Sequence, residues 1–197
     1  MNHLTLHNYV PKTALTNVNE LLNRFHFHLK IKSNRKTKHG DFRPLKDGSF
    51  QITINNDLNK YRFLITLIHE IAHLKTFKES RKVKPHGLEW KINFQHLLLP
   101  FLKPTIFPEE LLPIIANYIR NPKASTDSDI KLSLALKQYD EKSDKDYIFE
   151  IPLKSMFKYN NRIFEKGEKR RVRYICKELK TNKEYLFHPN AEVELVK

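Results

Sequence analysis

Residues 59–74 constrain the fold more than any other part of this sequence, because they combine a long apolar periodicity with two histidines four residues apart. The segment contains no Gly or Pro, and its apolar residues recur at helical spacing. We predict a helix with Asn59 as its N-cap and with His69 and His73 at the edge of its apolar stripe. Three nearby polar residues compete for the cap position: Asn55, Asn56 and Asp57.

The two histidines belong to a His69-Glu70-x-x-His73 motif. Residues i and i+4 lie on one face of an α-helix, so both imidazoles can point at one metal ion. Glu70 then lies beside the metal, where a carboxylate can take a proton from a bound water. The motif therefore predicts a zinc site suited to hydrolysis.

A catalytic zinc ion needs a third protein ligand and an open position for water. His86 is the best candidate, because Pro85 and Gly87 indicate a turn before a helix predicted over 88–98. A chain that leaves the first helix near Glu79 can fold back and present His86 to the metal. Spacing alone leaves three other ligands open: Glu79, Glu89 and His96.

Two motifs together, H-E-x-x-H at 69–73 and H-G-x-x-W at 86–90, resemble the SprT-like family, which includes the Spartan-type DNA-dependent metalloproteases. The stretch 48–55, which ends in Ile-Thr-Ile-Asn, is also similar, and the resemblance covers residues 15–102. It implies peptide-bond hydrolysis at one Zn²⁺ and a protein substrate. The family's roles fall on four residues: the zinc ligands His69, His73 and His86, and the general base Glu70. The sequence does not select an oxyanion donor among Tyr61, Arg62 and Lys91.

The charge balance predicts a polyanionic partner. The chain has 36 Lys and Arg against 22 Asp and Glu, a formal net charge of +14, and nucleic acid is the usual partner of so basic a domain. We expect DNA contacts from three basic clusters, of which the second directly precedes His86. The clusters are Arg35, Lys36 and Lys38; Arg81, Lys82 and Lys84; and Lys169, Arg170, Arg171 and Arg173.

Periodicity and the resemblance together predict an α+β chain in three parts. Residues 1–120 should form a small zincin-like metalloprotease domain, with helices packed on a short three-stranded sheet. Residues 121–146 should form a helical linker, and 147–197 a small antiparallel β module. The predicted helices are 13–25, 59–74, 88–98, 108–119 and 130–139, and the predicted strands of the first part are 27–31, 38–43 and 49–55. In the β module we predict strands at 147–151, 162–164, 171–176, 184–187 and 192–196, with turns at 160–161, 166–167 and 181–182.

Cys176 is the single cysteine, which excludes a disulfide framework and fits a reducing cytoplasm. Many bacterial members of the family carry a four-cysteine zinc ribbon at the C-terminus, and this chain cannot build one. We therefore expect Cys176 to be a small buried apolar residue. The N-terminal residues lack the pattern of a signal peptide, and no apolar run is long enough to span a bilayer. We expect a cytoplasmic, nucleoid-associated monomer without a membrane partner.

Two classes of function remain open. The first is a zinc metalloprotease that acts near DNA and on proteins crosslinked to it. The second is a non-catalytic nucleic-acid-binding protein with a structural or vestigial zinc site. The intact motif favours the first, because a structural site does not need the Glu70 carboxylate.

Overall fold

A computed structural model describes residues 3–35, 38–80, 83–141 and 145–196. The chain divides into two compact units, residues 1–140 and 141–197, and each is described by itself. The predicted α+β class is confirmed: the first unit combines helices with a three-stranded sheet, and the second holds a six-stranded antiparallel sheet. Within the described ranges, no helix is both long and apolar enough to cross a membrane.

The first unit is built on a small sheet in the strand order β1-β3-β2. β1 is parallel and β2 antiparallel to the central strand β3, whose last five residues are buried. Three strands (β1 His28–Lys32, β2 Gly40–Pro44, β3 Phe50–Asn55) accompany five α-helices (α1 Leu15–Phe25, α2 Lys60–Glu79, α3 Leu88–Leu98, α4 Leu112–Arg120, α5 Ile130–Lys137). Short 3₁₀ turns lie at His3–Asn8, Lys12–Ala14, Leu99–Phe101 and Thr126–Ser128.

Helix α2 is the centre of this unit, and most of its residues are buried. The predicted cap is confirmed, because the Asn59 side chain accepts hydrogen bonds from the backbone N–H groups of Tyr61 and Arg62. The helix runs to Glu79, near which the sequence predicted that the chain leaves it. It packs between the sheet and α3, so the two histidines of the motif stand on a helix that is held on both sides.

Helix α4 begins later than predicted. We predicted a helix from residue 108, but Pro108 to Leu111 form a turn, in which the Leu111 N–H donates to the Pro108 carbonyl, and the helix starts at Leu112. Pro113 explains the difference. Proline lacks an N–H and is tolerated only in the first turn of a helix, so this second proline requires a start near 112.

Helix α5 packs into the first unit. Leu132 and Leu136 are fully buried in the core that contains α2, and the Asn59 amide donates to the Leu136 carbonyl at 2.8 Å. The first compact unit therefore extends past residue 120 to residue 140, and the helix predicted within a linker lies inside it.

The second unit is a sheet in the order β4-β9-β5-β6-β7-β8 with antiparallel neighbours. One face carries a core of aromatic and aliphatic side chains that includes the fully buried Cys176, as predicted for this residue. The strands are β4 Asp146–Tyr147, β5 Met156–Tyr159, β6 Arg162–Arg170, β7 Arg173–Glu178, β8 Glu184–Phe187 and β9 Glu192–Leu195.

The strand predicted at 147–151 is wrong beyond its first residue. The chain turns after Tyr147, where the Glu150 N–H donates to the Tyr147 carbonyl and the Glu150 side chain accepts from the Tyr147 N–H. This turn buries Ile148 and Ile151 together. Apolar residues in a short run do not distinguish a turn from a strand.

The β5–β6–β7 region also differs from the prediction. The turn predicted at 160–161 is confirmed: Asn160 and Asn161 both have positive φ and join β5 to β6. The sequence analysis did not predict β5, the strand before this turn. The turn predicted at 166–167 is wrong, because these residues lie in β6 at an irregularity of the ladder. The chain reverses instead at Arg171 and Val172.

Candidate metal centre

Three imidazoles converge at one point of the first unit. The Nε2 atoms of His69 and His73 are 3.2 Å apart, and they lie 3.1 Å and 2.9 Å, respectively, from the Nε2 of His86. Nitrogens bound tetrahedrally to one zinc ion at about 2.0 Å would be about 3.3 Å apart. The triangle of nitrogens is therefore close to the geometry that a single metal ion requires, and these three residues could hold one.

The environment keeps these rings in the form that binds metals. Burial lowers the pKa of His69 well below its usual value, and His73 and His86 add to the shift. Burial and the neighbouring His86 lower the pKa of His73 to about 4, and burial lowers that of His86. The rings are thus neutral at neutral pH, with a nitrogen lone pair free for a metal.

Trp90 supports all three rings from the first turn of α3. The centroid of its ring lies 4.6 Å from His69, 5.3 Å from His73 and 4.7 Å from His86, and the ring also stacks on Phe94. Its indole N–H also points to the His69 carbonyl, 3.4 Å away. Because the side chain is 1% exposed, it fixes the ring positions and excludes water from one side of the cluster.

The turn that carries His86 requires a glycine at position 87. His86 itself has a φ of 57°, and the Gly87 N–H donates to the Lys84 carbonyl at 2.9 Å. A Cβ at position 87 would lie 2.9 Å from that carbonyl oxygen, so a side chain cannot fit without a shift of the backbone. Glycine therefore permits the tight turn that returns His86 to α2.

Glu70 is buried, with 6% exposure, on the helix that carries the first two histidines. Burial raises its pKa to about 8, and the nearby Asp41 contributes. A backbone hydrogen bond from Phe42 and the charges of Arg35 and Lys38 act in the opposite direction. The carboxyl group is thus a much stronger base than an exposed glutamate.

Gly40 lets strand β2 approach this carboxyl group. A Cβ at position 40 would lie 2.6 Å from Oε1 of Glu70 and 2.8 Å from Cγ2 of Thr66. Only a residue without a side chain allows α2 and β2 to come this close. The sequence reasoning missed Gly40, although a glycine within a predicted strand was a signal of close approach.

The alternative ligands lie apart from the cluster. Glu79 accepts from the Asn93 amide and pairs with Lys75, while Glu89 and His96 are exposed. The three candidate oxyanion donors are also engaged elsewhere. Arg62 pairs with Asp127, Tyr61 packs edge-on against Tyr139, and Lys91 donates to Asn121.

The structure separates the predicted DNA contacts into three groups. Arg35 donates to the side chains of Asn55 and Thr53, and Lys38 pairs with Asp41 at 2.8 Å. Lys38 is itself exposed, as are Lys84 beside His86 and, at the β6–β7 hairpin, Lys169, Arg170, Arg171 and Arg173. Lys36, Arg81 and Lys82 lie outside the described residues.

Comparison with known proteins agrees with this geometry. The model of the SprT-like family matches residues 11–99, which include α2, the His86 turn and α3. The family is associated with metalloprotease-type activity. No curated protein and no solved structure matches the chain. The match covers a little under half of the chain, and over residues 11–99 the sequence is that of a SprT-like domain.

Proposed function

We propose that this protein is a zinc-dependent metalloprotease that works in association with DNA. The metalloprotease part of this proposal rests on three neutral imidazoles that converge beside a buried glutamate, with their Nε2 atoms within 3.2 Å of one another. Three imidazole ligands suit zinc among the common biological metals. When bound, zinc would polarise a water molecule and the carbonyl of a scissile peptide bond.

In this proposal Glu70 moves the proton. Its carboxylate oxygen accepts a proton from the attacking water and then passes it to the nitrogen of the leaving amine. The burial that raises its pKa makes the ionised carboxylate a stronger proton acceptor than an exposed glutamate, and a bound zinc ion would favour the ionised form. Trp90 holds the ligand rings in place, and Gly40 leaves room for the Glu70 side chain beside β2.

The ligand set favours catalysis over a structural zinc. In the part of the chain that the structure describes, no fourth His, Cys, Asp or Glu joins the cluster. A structural zinc usually has four protein ligands, whereas a catalytic zinc has three and an open position. The alternative, a non-catalytic nucleic-acid-binding protein, requires either a zinc ion with a fourth protein ligand or a site that binds no zinc.

A pair of histidine variants tests the proposal. His86→Ala should lose the zinc and the cleavage of an unfolded protein such as casein, because it removes one of three ligands. His96→Ala is the matched control, since His96 is an exposed histidine on α3 outside the cluster. Purified wild type and His96→Ala should hold one zinc per chain by elemental analysis. Equal zinc content in both variants would contradict the ligand assignment.

The DNA half of the proposal rests on charge. The net charge is +14, and four exposed cations cluster within five residues of the β6–β7 hairpin. Arg170 and Arg173 lie directly opposite each other in the ladder, and like charges in that position destabilise a sheet. Arg171 adopts a φ of 55°, which is unfavourable for a residue with a side chain. A polyanion bound at the hairpin would offset the repulsion, and a cytoplasmic, nucleoid-associated location is part of this proposal.

A charge-matched pair of double variants tests the DNA contact. Arg170→Gln with Arg173→Gln should weaken binding to a DNA oligonucleotide and reduce the slope of log K against log salt by about 2, or about 1 for each phosphate contact. Lys158→Gln with Lys177→Gln removes the same charge from cross-strand neighbours of Glu194 and Glu165. Equal losses in both double variants would show only a general charge effect and would contradict a hairpin contact.

A further inference from the structure

One face of the three-stranded sheet in the first unit is strongly basic. Residues 30–46, which include part of β1 and all of β2, contain seven Lys and Arg and one acid, Asp41. In β1, Lys30 and Lys32 are exposed, whereas Leu29 is buried in the core that contains α2. Because successive side chains of a strand point to opposite faces, the two lysines lie on the face turned away from that core.

The strand register adds a third exposed cation to this face. Lys30 lies opposite Thr53 of the central strand β3, and Arg43 of β2 lies opposite Gln51, two residues earlier in β3. Residues two apart in a strand share a face, so the exposed Arg43 is on the same face as Lys30 and Lys32. Since β1 and β2 both neighbour β3, these cations flank the central strand across about 10 Å.

Arg35 places a fourth positive charge over the central strand itself. Its Nε donates to Oδ1 of Asn55 at 2.7 Å, and its Nη1 donates to Oγ1 of Thr53 at 2.9 Å. Both acceptors are neutral, so they fix the guanidinium without compensating its charge. Arg35 also lines a cavity of about 200 Å³ together with His69 and Glu70, so this face reaches the edge of the candidate metal centre.

The cations of this face have few acidic partners. Asp41, which lies opposite Thr53 in the ladder, pairs with Lys38 at 2.8 Å. Among the residues that the structure describes, Lys30, Lys32 and Arg43 form no salt bridge. Clustered like charges repel one another, and a bound polyanion would offset that repulsion.

Protection of the sheet edges accounts for only part of this pattern. Lysines on edge strands discourage edge-to-edge pairing, and β1 and β2 are the two edges of this sheet. Arg35 has no such role, because it follows β1 in a loop and its guanidinium lies over the middle strand. Cations spread over all three strands favour a ligand that covers the whole face.

The charge density and the side-chain chemistry of the face both fit duplex DNA. A duplex carries about six phosphates in 10 Å of its axis, and Lys and Arg bind phosphates whatever the base sequence. Proteins that hold single strands stack the bases on aromatic rings. On this face the three strands carry no Phe, Tyr or Trp, because their aromatic residues Phe42 and Phe50 pack against the core on the other side.

We propose that this face is a second DNA-binding surface, on which Lys30, Lys32, Arg35 and Arg43 bind the phosphates of duplex DNA. The surface rests on the DNA half of the proposed function and adds a contact in the unit that carries the metal centre, separate from the β6–β7 hairpin. A duplex bound there would hold an attached protein close to Glu70.

A charge-matched pair of triple variants tests this surface. Lys30→Gln, Lys32→Gln and Arg43→Gln together should reduce the slope of log K against log salt by about 3 for a duplex oligonucleotide, or about 1 for each phosphate contact. The weakening should be similar for duplexes of different sequence. Each single substitution should reduce the slope by about 1, which keeps the test decisive if the triple variant unfolds.

The control removes the same charge from exposed residues of the first unit that lie outside the sheet, and it should leave the slope nearly unchanged. It combines Lys103→Gln, Arg120→Gln and Lys131→Gln. Equal slopes for the sheet-face variant and the wild type, or equal losses in both triple variants, would overturn the surface. A loss seen only with single-stranded DNA, or polyglutamate that competes as well as a second duplex, would overturn its assignment to duplex DNA.

The hairpin variant, Arg170→Gln with Arg173→Gln, is measured in parallel to separate this surface from the proposed function. A loss in the hairpin variant alone would leave the proposed DNA contact standing without the sheet face. A loss in the sheet-face variant alone would support this surface and contradict the hairpin contact. Wild-type protein that does not bind DNA at low salt would overturn both.

Discussion

Two buried glutamates, one in each unit, have pKa values that move in opposite directions. Glu70 in the first unit is 6% exposed, and burial raises its pKa to about 8. Glu178 in the β module is 5% exposed, and hydrogen bonds from Arg162 and Thr181 lower its pKa to about 2. The Arg162 contact is a salt bridge with an N···O distance of 2.5 Å.

The difference lies in the partners of the two carboxyl groups. Glu178 has a cation in direct contact, as a buried acid in a structural role requires. Glu70 has a backbone hydrogen bond and only more distant positive charges, so desolvation dominates. An under-compensated buried acid costs stability, and such groups occur where chemistry needs a strong base. The difference agrees with the proposal that Glu70 in the first unit takes part in the chemistry, whereas the salt bridge gives Glu178 a structural role.

The largest expected effect is on catalysis. Glu70→Gln should lower the rate of casein cleavage by about 10²- to 10⁴-fold, because it removes the general base. Glu178→Gln makes the same chemical change at an equally buried position and should leave the rate unchanged. Cleavage assays at equal zinc content check both variants. Equal rates for Glu70→Gln and the wild type would remove Glu70 from the mechanism.

Gly40 and Gly167, one in each unit, both lie too close to neighbouring atoms to carry a side chain without a shift. Gly40→Ala should destabilise the first unit by about 1–3 kcal/mol, because its Cβ would meet Oε1 of Glu70 at 2.6 Å. Gly167→Ala should destabilise the β module by a similar amount, because its Cβ would meet the Ile175 carbonyl oxygen at 2.5 Å. Hydrogen exchange, followed separately in the two units, should show each loss only in the unit that carries the substitution. A loss shared by both units would mean that they unfold together.

The pH dependence of stability should also differ in sign between the units. The pKa of Glu178 is lowered on folding, so its contribution is present above about pH 4.5 and is lost as the pH falls toward 2. The pKa of Glu70 is raised on folding, so metal-free protein should lose stability in the first unit as the pH rises from about 4.5 to 8.

Hydrogen exchange or chemical denaturation across this pH range measures both slopes. Glu178→Gln should flatten the acidic slope of the β module, and Glu70→Gln should flatten the slope of the metal-free first unit. Slopes of the same sign in both units would contradict the assignment of the two carboxyl groups.

The smallest expected effect is on the hairpin. Arg170→Gln with Arg173→Gln should stabilise the β module by about 0.2–1 kcal/mol, because the two like charges face each other across β6 and β7. Denaturant unfolding at low salt measures this gain, which should shrink in 1 M salt as the charges are screened. A loss of stability would mean that these arginines support the fold rather than a partner.

The site could be predicted from sequence where local signals were strong. Helical periodicity, the Asn59 cap and the i, i+4 spacing of His69 and His73 all act within one helix, so α2 was predicted from its own residues. The prediction that His86 joins the cluster needed the family resemblance. The 12 residues between His73 and His86 are enough for Glu79, Glu89 or His96 to serve as the third ligand instead.

Other parts depended on contacts that are distant in sequence. The approach of Gly40 to Glu70 and the Asp127 contacts with Arg62 and His39 join segments 30 to 88 residues apart, which single-sequence patterns do not encode. The bounds of the short strands in the β module depend on their pairing with neighbouring strands. The turn residue Asn160 predicted the chain reversal there better than apolar periodicity predicted the strands.

A crystal structure of the zinc-loaded protein, with anomalous diffraction data at the zinc edge, tests the central claim most directly. We predict one zinc ion per chain, bound at about 2.0–2.1 Å by Nε2 of His69, His73 and His86, with a water in the fourth position on the side of Glu70. A fourth protein ligand in that position, or zinc bound elsewhere with the three histidines empty, would contradict the account.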